Sequence, residues 1–578
     1  MKKITIVLLS LMLLLTGCNF GGSNDKEVDL NSEKAVAEQE KFEDFMHEMM
    51  VDALSSNKMN AHFAVRDLSP YGLEDMEVSL GEFSDTDYDE IRNEIARLKE
   101  IDRSLLLDHQ KSLYDRYILC IEEDLYYEGI DDLVFAFAPS SGLNSDLLTM
   151  LSEFVIYKEE DIQDFIVYVK DSERLLDEAI AYTQAQVEKG IVQDDTTIDG
   201  IIEQCERFVS AGDSNGILVE LNSRIDAFDG ISSDQKADYK RLIKEAMNSH
   251  FIPAYNKVID YFENLKGTAT HSAAYLNFEN GKDYYEALVK IKTSSKLSPK
   301  DTKKLIQKYI DELLDEVYAR ARANPALFDL PAPDFGMTDA NEILEFLKDR
   351  TPYYFPAPAD VTYEVSYLDP SLVTENTAAY YLIPAVDDIK HNVIRVNPNF
   401  DGLYTTLAHE GFPGHLYQTT YSFSNNYSPI LYFLGFIGYT EGWAVYTEDI
   451  SYEMAGIDPD LALLDSANEN ISMLVIAICD IMVHYEGATV EDIDKYIANY
   501  GFNESAAEYI YELVLSEPGM FLPYTAGYVK MKNLRAKVEK ALGNDFDVVE
   551  YHKVILDTDK STFEYLEEKV NEYIKSKK

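Results

Sequence analysis

From about Ser32 to Asn324 the chain repeats apolar residues three and four positions apart among Glu and Lys, as in "DLLTMLSEFVIYKEEDIQDFIVYVKDSERLLDEAIAY". That spacing follows the turn of an α-helix with one face against a core. Breaks fall at "SPYGLED", "EKGIVQDDTT", "SAGDSNG" and "LKGTATHSAAYLNFENGKDYY", where Gly, Pro, Asn and Ser interrupt the pattern. No repeat of fixed period stands out. A chain of 578 residues that is 46% hydrophobic buries a large core, and residues 35–330 are expected to form an α-helical scaffold lobe.

Near Pro325 the texture changes. "NPALFDLPAPDFG" and "TPYYFPAPADVTYEVSYLDPS" are rich in Pro and aromatic residues, and "AAYYLIPAVDDIKHNVIRVNP" places two runs of Tyr, Ile and Val around Asp387 and Asp388, as a hairpin does. Helical spacing resumes at about Leu403 and continues to the end. The expectation is a mainly α, multi-helical body with one small sheet or hairpin, residues 331–578 forming a second lobe or continuing the first. The acidic string Asp85, Asp87 and Asp89 lacks the Gly and Glu of a calcium loop and reads as a helix start.

The N-terminus carries Lys2 and Lys3, an apolar run from Ile4 to Leu15, and Thr16-Gly17-Cys18. The run is too short to span a bilayer, and small residues directly before a Cys match a bacterial lipobox. Residues 1–17 therefore read as a lipoprotein signal peptide, Cys18 as the lipidated residue, and 18–34 as a flexible tether. The body is expected outside the cytoplasmic membrane, which it meets only through that anchor. Cys120, Cys205 and Cys479 are widely spaced, neither a disulfide framework nor a thiolate metal site. A formal net charge of -53 excludes nucleic acid as a partner, since a polyanion must be neutralised by Lys and Arg. Nothing in the sequence sets the oligomeric state.

The residues that carry chemistry begin at "LAHEGFPGHLYQ", with His409, Glu410 and His415. A catalytic metal needs imidazoles and carboxylates converging in space with one position left open. On a straight helix, at about 100° per residue, His409 and His415 stand about 120° apart. But Gly411, Phe412, Pro413 and Gly414 intervene, and Pro and Gly disrupt helical geometry. Two readings stand on the spacing alone. Either the extra residues are looped out or absorbed as a bulge and both rings face one ion, or the helix ends at Gly411 and His415 lies on the surface or behind the ligands. Downstream, "YTEGWAVYTE" contains Glu441, and two helical turns on, Glu448 lies on nearly the same face. These are a third ligand and either a competitor or a carboxylate that orients an imidazole, or else a solvated helix face.

"HEGFPGHLYQ" followed by "TEGWAVYTE" resembles the bacterial DUF885 family, whose pattern H-E-x-x-P-G-H and later E-G-W-A-x-Y-x-E has the same enlarged spacing. Looser likenesses run in order through "EKGIVQDDTTIDGIIEQ", "FENGKDYYEALVKIKTSSKLSPKD", "ICDIMVHYEGATVEDIDKYI", "PYTAGYVKMKNLRAKVEKALG" and "FDVVEYHKVIL". The family is grouped with zincin-type metallopeptidases. The resemblance implies a zincin-like body in which His409, His415 and Glu441 bind zinc and Glu410 deprotonates the bound water. The chain departs from the family at Met520 and Pro523, where Gln and Ser are common. Tyr524 matches the family's Tyr in that stretch and is the first candidate to stabilise the oxyanion, with Tyr528 second, as a substrate contact. His484 is a further catalytic candidate, with Asp480 one turn earlier placed to orient its ring. "NVIRVNP" is a candidate edge strand for an extended peptide, with Arg395 offered to a substrate carboxylate.

The resulting expectation is zinc-dependent hydrolysis of peptides. The competing classes are a zinc hydrolase of a non-peptide amide and a lipoprotein that binds a ligand or partner through a degenerate site.

Overall fold

Ser32 turns the chain into its first helix, Glu33–Ser55, by accepting a hydrogen bond from the Ala35 N–H. The computed structural model describes residues 29–83, 86–373, 378–398, 402–425, 428–503 and 505–578. Cys18 and the signal peptide lie outside them, as does most of the tether, whose expected last two residues, Glu33 and Lys34, are already helical. Asp87 caps the helix Tyr88–Lys99 by accepting from the N–H groups of Asp89 and Glu90, the helix start expected of that acidic string; Asp85 lies outside the described residues.

Helix accounts for 70% of the residues and strand for 3%, so the sheet is an accessory to a helical body. The longest helix, Glu159–Glu188, buries Ile162, Phe165, Val169, Leu176, Ala179 and Thr183 along one stripe, the 3.6-residue periodicity at work.

The expected division near residue 330 is not where the apolar core divides. One cluster joins Phe42, Tyr114, Tyr285 and Ile310 to Leu407, Trp443, Ile478 and Leu566, from both sides of that boundary. A second gathers Phe137, Leu148, Phe165, Ile201, Phe208 and Tyr255. The helices around residues 136–265 are thus a satellite of a body built from both ends of the chain. Sequence periodicity marks each helix but not which partner its apolar stripe meets.

The sheet has the order β1-β3-β2, with β1 Thr362–Tyr367, β2 Ala379–Leu382 and β3 His391–Val396. The expected hairpin is present: β2 runs antiparallel to β3, pairing Tyr380 with Arg395 and Leu382 with Val393. β1 pairs with the other side of β3 in parallel, from Thr362 opposite His391 to Tyr367 opposite Val396. β3 is therefore the central strand, which corrects its reading as an edge. Both of its hydrogen-bonding sides are taken, so an added peptide strand cannot pair with it.

Among the described residues one helical run, Pro459–Glu486, is long and apolar enough to cross a membrane. Its C-terminal half contributes Leu474, Val475 and Ile478 to the core and buries Asp480 and His484. Cys205 and Cys479 are buried, and Cys120 is half-buried against the core.

Candidate functional site

The helix Leu403–Glu410 stops at Gly411, whose backbone (φ -107, ψ -104) is not helical. A second helix, His415–Asn425, starts four residues later. The turn between them is tight: the Gly414 N–H donates to the Ala408 carbonyl at 2.9 Å. A Cβ on Gly414 would lie 1.8 Å from the His409 carbonyl oxygen, so only glycine fits there. The chain thus breaks the helix rather than bulging it, and the break redirects His415. The two imidazoles meet edge to face, with ring centroids 4.7 Å apart. Of the two readings of the spacing, helix termination is right about the backbone and convergence is right about the side chains.

His409, Glu410 and His415 each bring a potential ligand atom within 4.8 Å of the others. Glu441 reaches the same place from the helix Ile437–Ala455, and its Oε2 lies 3.4 Å from Nε2 of His409 and 3.4 Å from Nε2 of His415. Two carboxylates thus compete for the third position, and Glu441 is the better placed. Its Oε2 is sealed from water yet accepts no hydrogen bond, a costly state for a carboxylate oxygen that a cation would relieve. The side chains of His409, His415 and Glu441 remain 12%, 13% and 14% exposed, so one side of the cluster reaches solvent.

Glu448 accepts from His409 Nδ1 at 2.6 Å. It therefore orients the ring, which leaves Nε2 pointing at Glu441, and the choice between ligand and orienting carboxylate falls to the second. Burial opposes a charge on His409, but Glu441 and Glu448, helped by Glu410, hold its pKa well above the ordinary imidazole value. Burial also opposes charge on Glu441, and the rings of His415 and His409 outweigh it and keep the carboxyl below the usual range. Three carboxylates around two imidazoles favour an added positive charge, which a proton or a metal ion supplies.

Close helix packing brings the parts together. A Cβ on Gly442 would lie 2.4 Å from the Gly527 carbonyl carbon, and one on Gly527 would lie 2.1 Å from the Gly438 oxygen. The Glu441 helix and the helix Leu522–Leu542 therefore touch backbone to backbone. Trp443 Nε1 donates to the Pro413 carbonyl at 3.0 Å and locks the interrupted motif onto the Glu441 helix. Sequence reasoning missed Gly442 and Gly527, although glycines inside helical stretches were the available signal.

Tyr524 stands near this centre, its ring 6.2 Å from that of His409 and nearly parallel to it. The Glu441 carboxylate first, then burial, and then Glu410 and Glu448 push its phenol well above the ordinary value, so it stays a donor. Pro523 sits in the first turn of its helix, where no backbone N–H is required.

Four candidates are placed otherwise. Tyr528 donates to Asp449 at 2.7 Å and accepts from Tyr309 at 2.8 Å, in a part-buried group that includes Lys532, so it is not free for substrate. Arg395 projects from β3 on the face opposite Ile394, the residue that approaches Gly411. It makes a bidentate pair with Glu153 at 2.8 and 2.7 Å, which uses up the guanidinium expected for substrate. His484 is fully buried, accepting from the Tyr275 N–H at 3.1 Å and donating to the Val514 carbonyl at 2.7 Å. Asp480 does not orient it; that carboxylate accepts from Tyr285 Oη and from the Gly519 N–H. The one-turn spacing of Asp480 and His484 loses to nearer backbone and phenol partners.

The chain matches the family described as "Bacterial protein of unknown function (DUF885)" over residues 72–570 and belongs to it. No curated protein matches. Among solved structures it is similar to a Colwellia psychrerythraea protein described as a "putative lipoprotein", with a TM-score of 0.77 and 19% identity over 93% of this chain and 99% of that one. It is also similar to one from Shewanella oneidensis, described in the same words and as of unknown function, with a TM-score of 0.59 and 16% identity over 91% and 99%. At these identities the likeness is one of fold.

Proposed function

We propose that this protein is a zinc-dependent peptidase held outside the cytoplasmic membrane by a lipid on Cys18. The observation that carries the metal is Glu441 Oε2, buried, without a hydrogen-bond donor, and equidistant from two imidazole nitrogens. Ligand atoms about 2.0–2.1 Å from a tetrahedral zinc lie about 3.3 Å from one another, close to the observed 3.4 Å. The anchor is supported by the lipobox at Cys18 and by the description of the two structural relatives; the peptide substrate is supported by the likeness of the two motifs to those of zincin peptidases.

His409, His415 and Glu441 would hold the ion, with Glu448 fixing the His409 ring. Bound there, zinc would acidify a water and polarise the scissile carbonyl. Glu410, adjoining His409, takes the proton of the attacking water and passes it to the leaving amine. Tyr524, kept protonated by the surrounding carboxylates, donates to the developing oxyanion.

The test uses protein lacking residues 1–18, with metal content measured and turnover of a peptide library compared between wild type and Glu410→Gln. The expected result is one zinc per chain in both, with turnover lower by about 10²–10⁴-fold in the variant. Absence of stoichiometric zinc overturns the metal reading. Zinc without peptide turnover overturns the peptidase and turns attention to a non-peptide amide or to ligand binding.

A further inference from the structure

Lys292 ends the helix Gly281–Lys292 at the place where the two site-bearing helices begin. The next two residues meet the Glu441 helix: a Cβ on Gly438 would lie 2.4 Å from the Thr293 carbonyl carbon, and the Gly438 N–H donates to Ser294 Oγ at 2.9 Å. Gly438 is one turn before Glu441. On the other side, Lys292 Cγ is 3.5 Å from the position of a Cβ on Gly519, just ahead of the Tyr524 helix. Lys292 thus sits between the first turns of the helices that deliver Glu441 and Tyr524. The positive ends of both helix dipoles lie on its side of the cluster.

The half-buried Lys292 ammonium makes no hydrogen bond or ion pair among the described residues. The charged groups around it are Glu517, Asp480 and Glu441, and each is committed elsewhere. Glu517 accepts from the Ser140 N–H at 2.6 Å and Ser141 Oγ at 2.5 Å. Asp480 accepts from Tyr285 and Gly519, and Glu441 faces the two imidazoles. A partly desolvated ammonium without a contacting counter-ion is unfavourable, and here an arriving anion would relieve it. Every linear peptide with an unmodified end carries one such group.

We propose that Lys292 receives the free C-terminal carboxylate of the peptide, which makes the substrates unblocked peptides cleaved near their C-terminus. This rests on the peptidase reading for the chemistry, but carboxylate recognition is measurable without turnover. In full-length Glu410→Gln protein loaded with zinc, calorimetry would compare N-acetyl-Ala-Ala with its C-terminal amide. The acid is expected to bind about tenfold to a hundredfold more tightly, the range of one charge-assisted contact. The double variant Glu410→Gln/Lys292→Met is expected to lose that preference, and Glu410→Gln/Lys292→Arg to keep most of it. Equal binding of acid and amide, no binding of either, or a preference that survives Lys292→Met overturns the assignment. A Lys292-dependent preference, with no peptide cleaved by the wild type, sustains carboxylate recognition and overturns the peptidase reading instead.

Discussion

The pair His409 and Glu441 and the pair His484 and Asp480 both join an imidazole to a carboxylate, yet their surroundings are opposite. His484 has both ring nitrogens in hydrogen bonds to backbone groups, and Asp480 holds two donors of its own. Around His409 one nitrogen is held by Glu448, while the other faces a carboxylate oxygen that has no donor. The first pair is finished as structure; the second has capacity left over. Buried polar groups are normally satisfied, so unspent capacity within reach of solvent, more than burial or residue type, separates a site from a core.

The largest expected contrast is in metal binding. His415→Ala should reduce bound zinc well below one per chain after dialysis, whereas His484→Gln, if folded by circular dichroism, should retain it. Equal retention by both variants would show that the convergence of His409 and His415 holds no metal.

The second contrast is in stability against pH. Burial lowers the His484 pKa to about 4, so below the ordinary value of about 6.5 the unfolded chain takes up the proton first. Stability from this group is complete above that value and falls by about 3 kcal/mol as pH drops toward 4. Asp480 is raised by burial to about 7, so its folded form holds the proton more tightly. Its contribution has the opposite sign: complete below about pH 4 and lost as pH rises through 7. Denaturant titrations at pH 7 and pH 4.5 should show His484→Gln gaining on wild type at the lower pH and Asp480→Asn losing. The same sign for both would mean that one of the two groups is not buried as described.

The smallest effect is expected at Glu448→Gln, which keeps a hydrogen bond to His409 but removes the charge. Zinc affinity should fall by about 10–100-fold, the usual loss for a carboxylate behind a metal-binding imidazole. A chelator competition that finds no change would return Glu448 to a packing role.

Much of this protein was legible in the chain. Helical spacing through residues such as Ile162, Phe165 and Val169 determined a mainly α body, because amphipathic periodicity is local. The hairpin of β2 and β3 was legible for the same reason. The residues of the cluster were too, because His409, Glu410, His415, Glu441 and Glu448 fall in two short motifs. β1, hidden in a Pro-rich stretch, was not, and without it β3 looked like an edge. Only the tertiary structure decided that Arg395 would be spent on Glu153 from another part of the fold, and that Tyr528 would serve Asp449. It alone placed the break after Glu410 so that His415 turns back toward His409, and set Gly442 against Gly527 so that Glu441 and Tyr524 arrive together. Partner choice depends on which side chains reach one another across hundreds of residues, and sequence spacing carries that information only within a few turns of one helix.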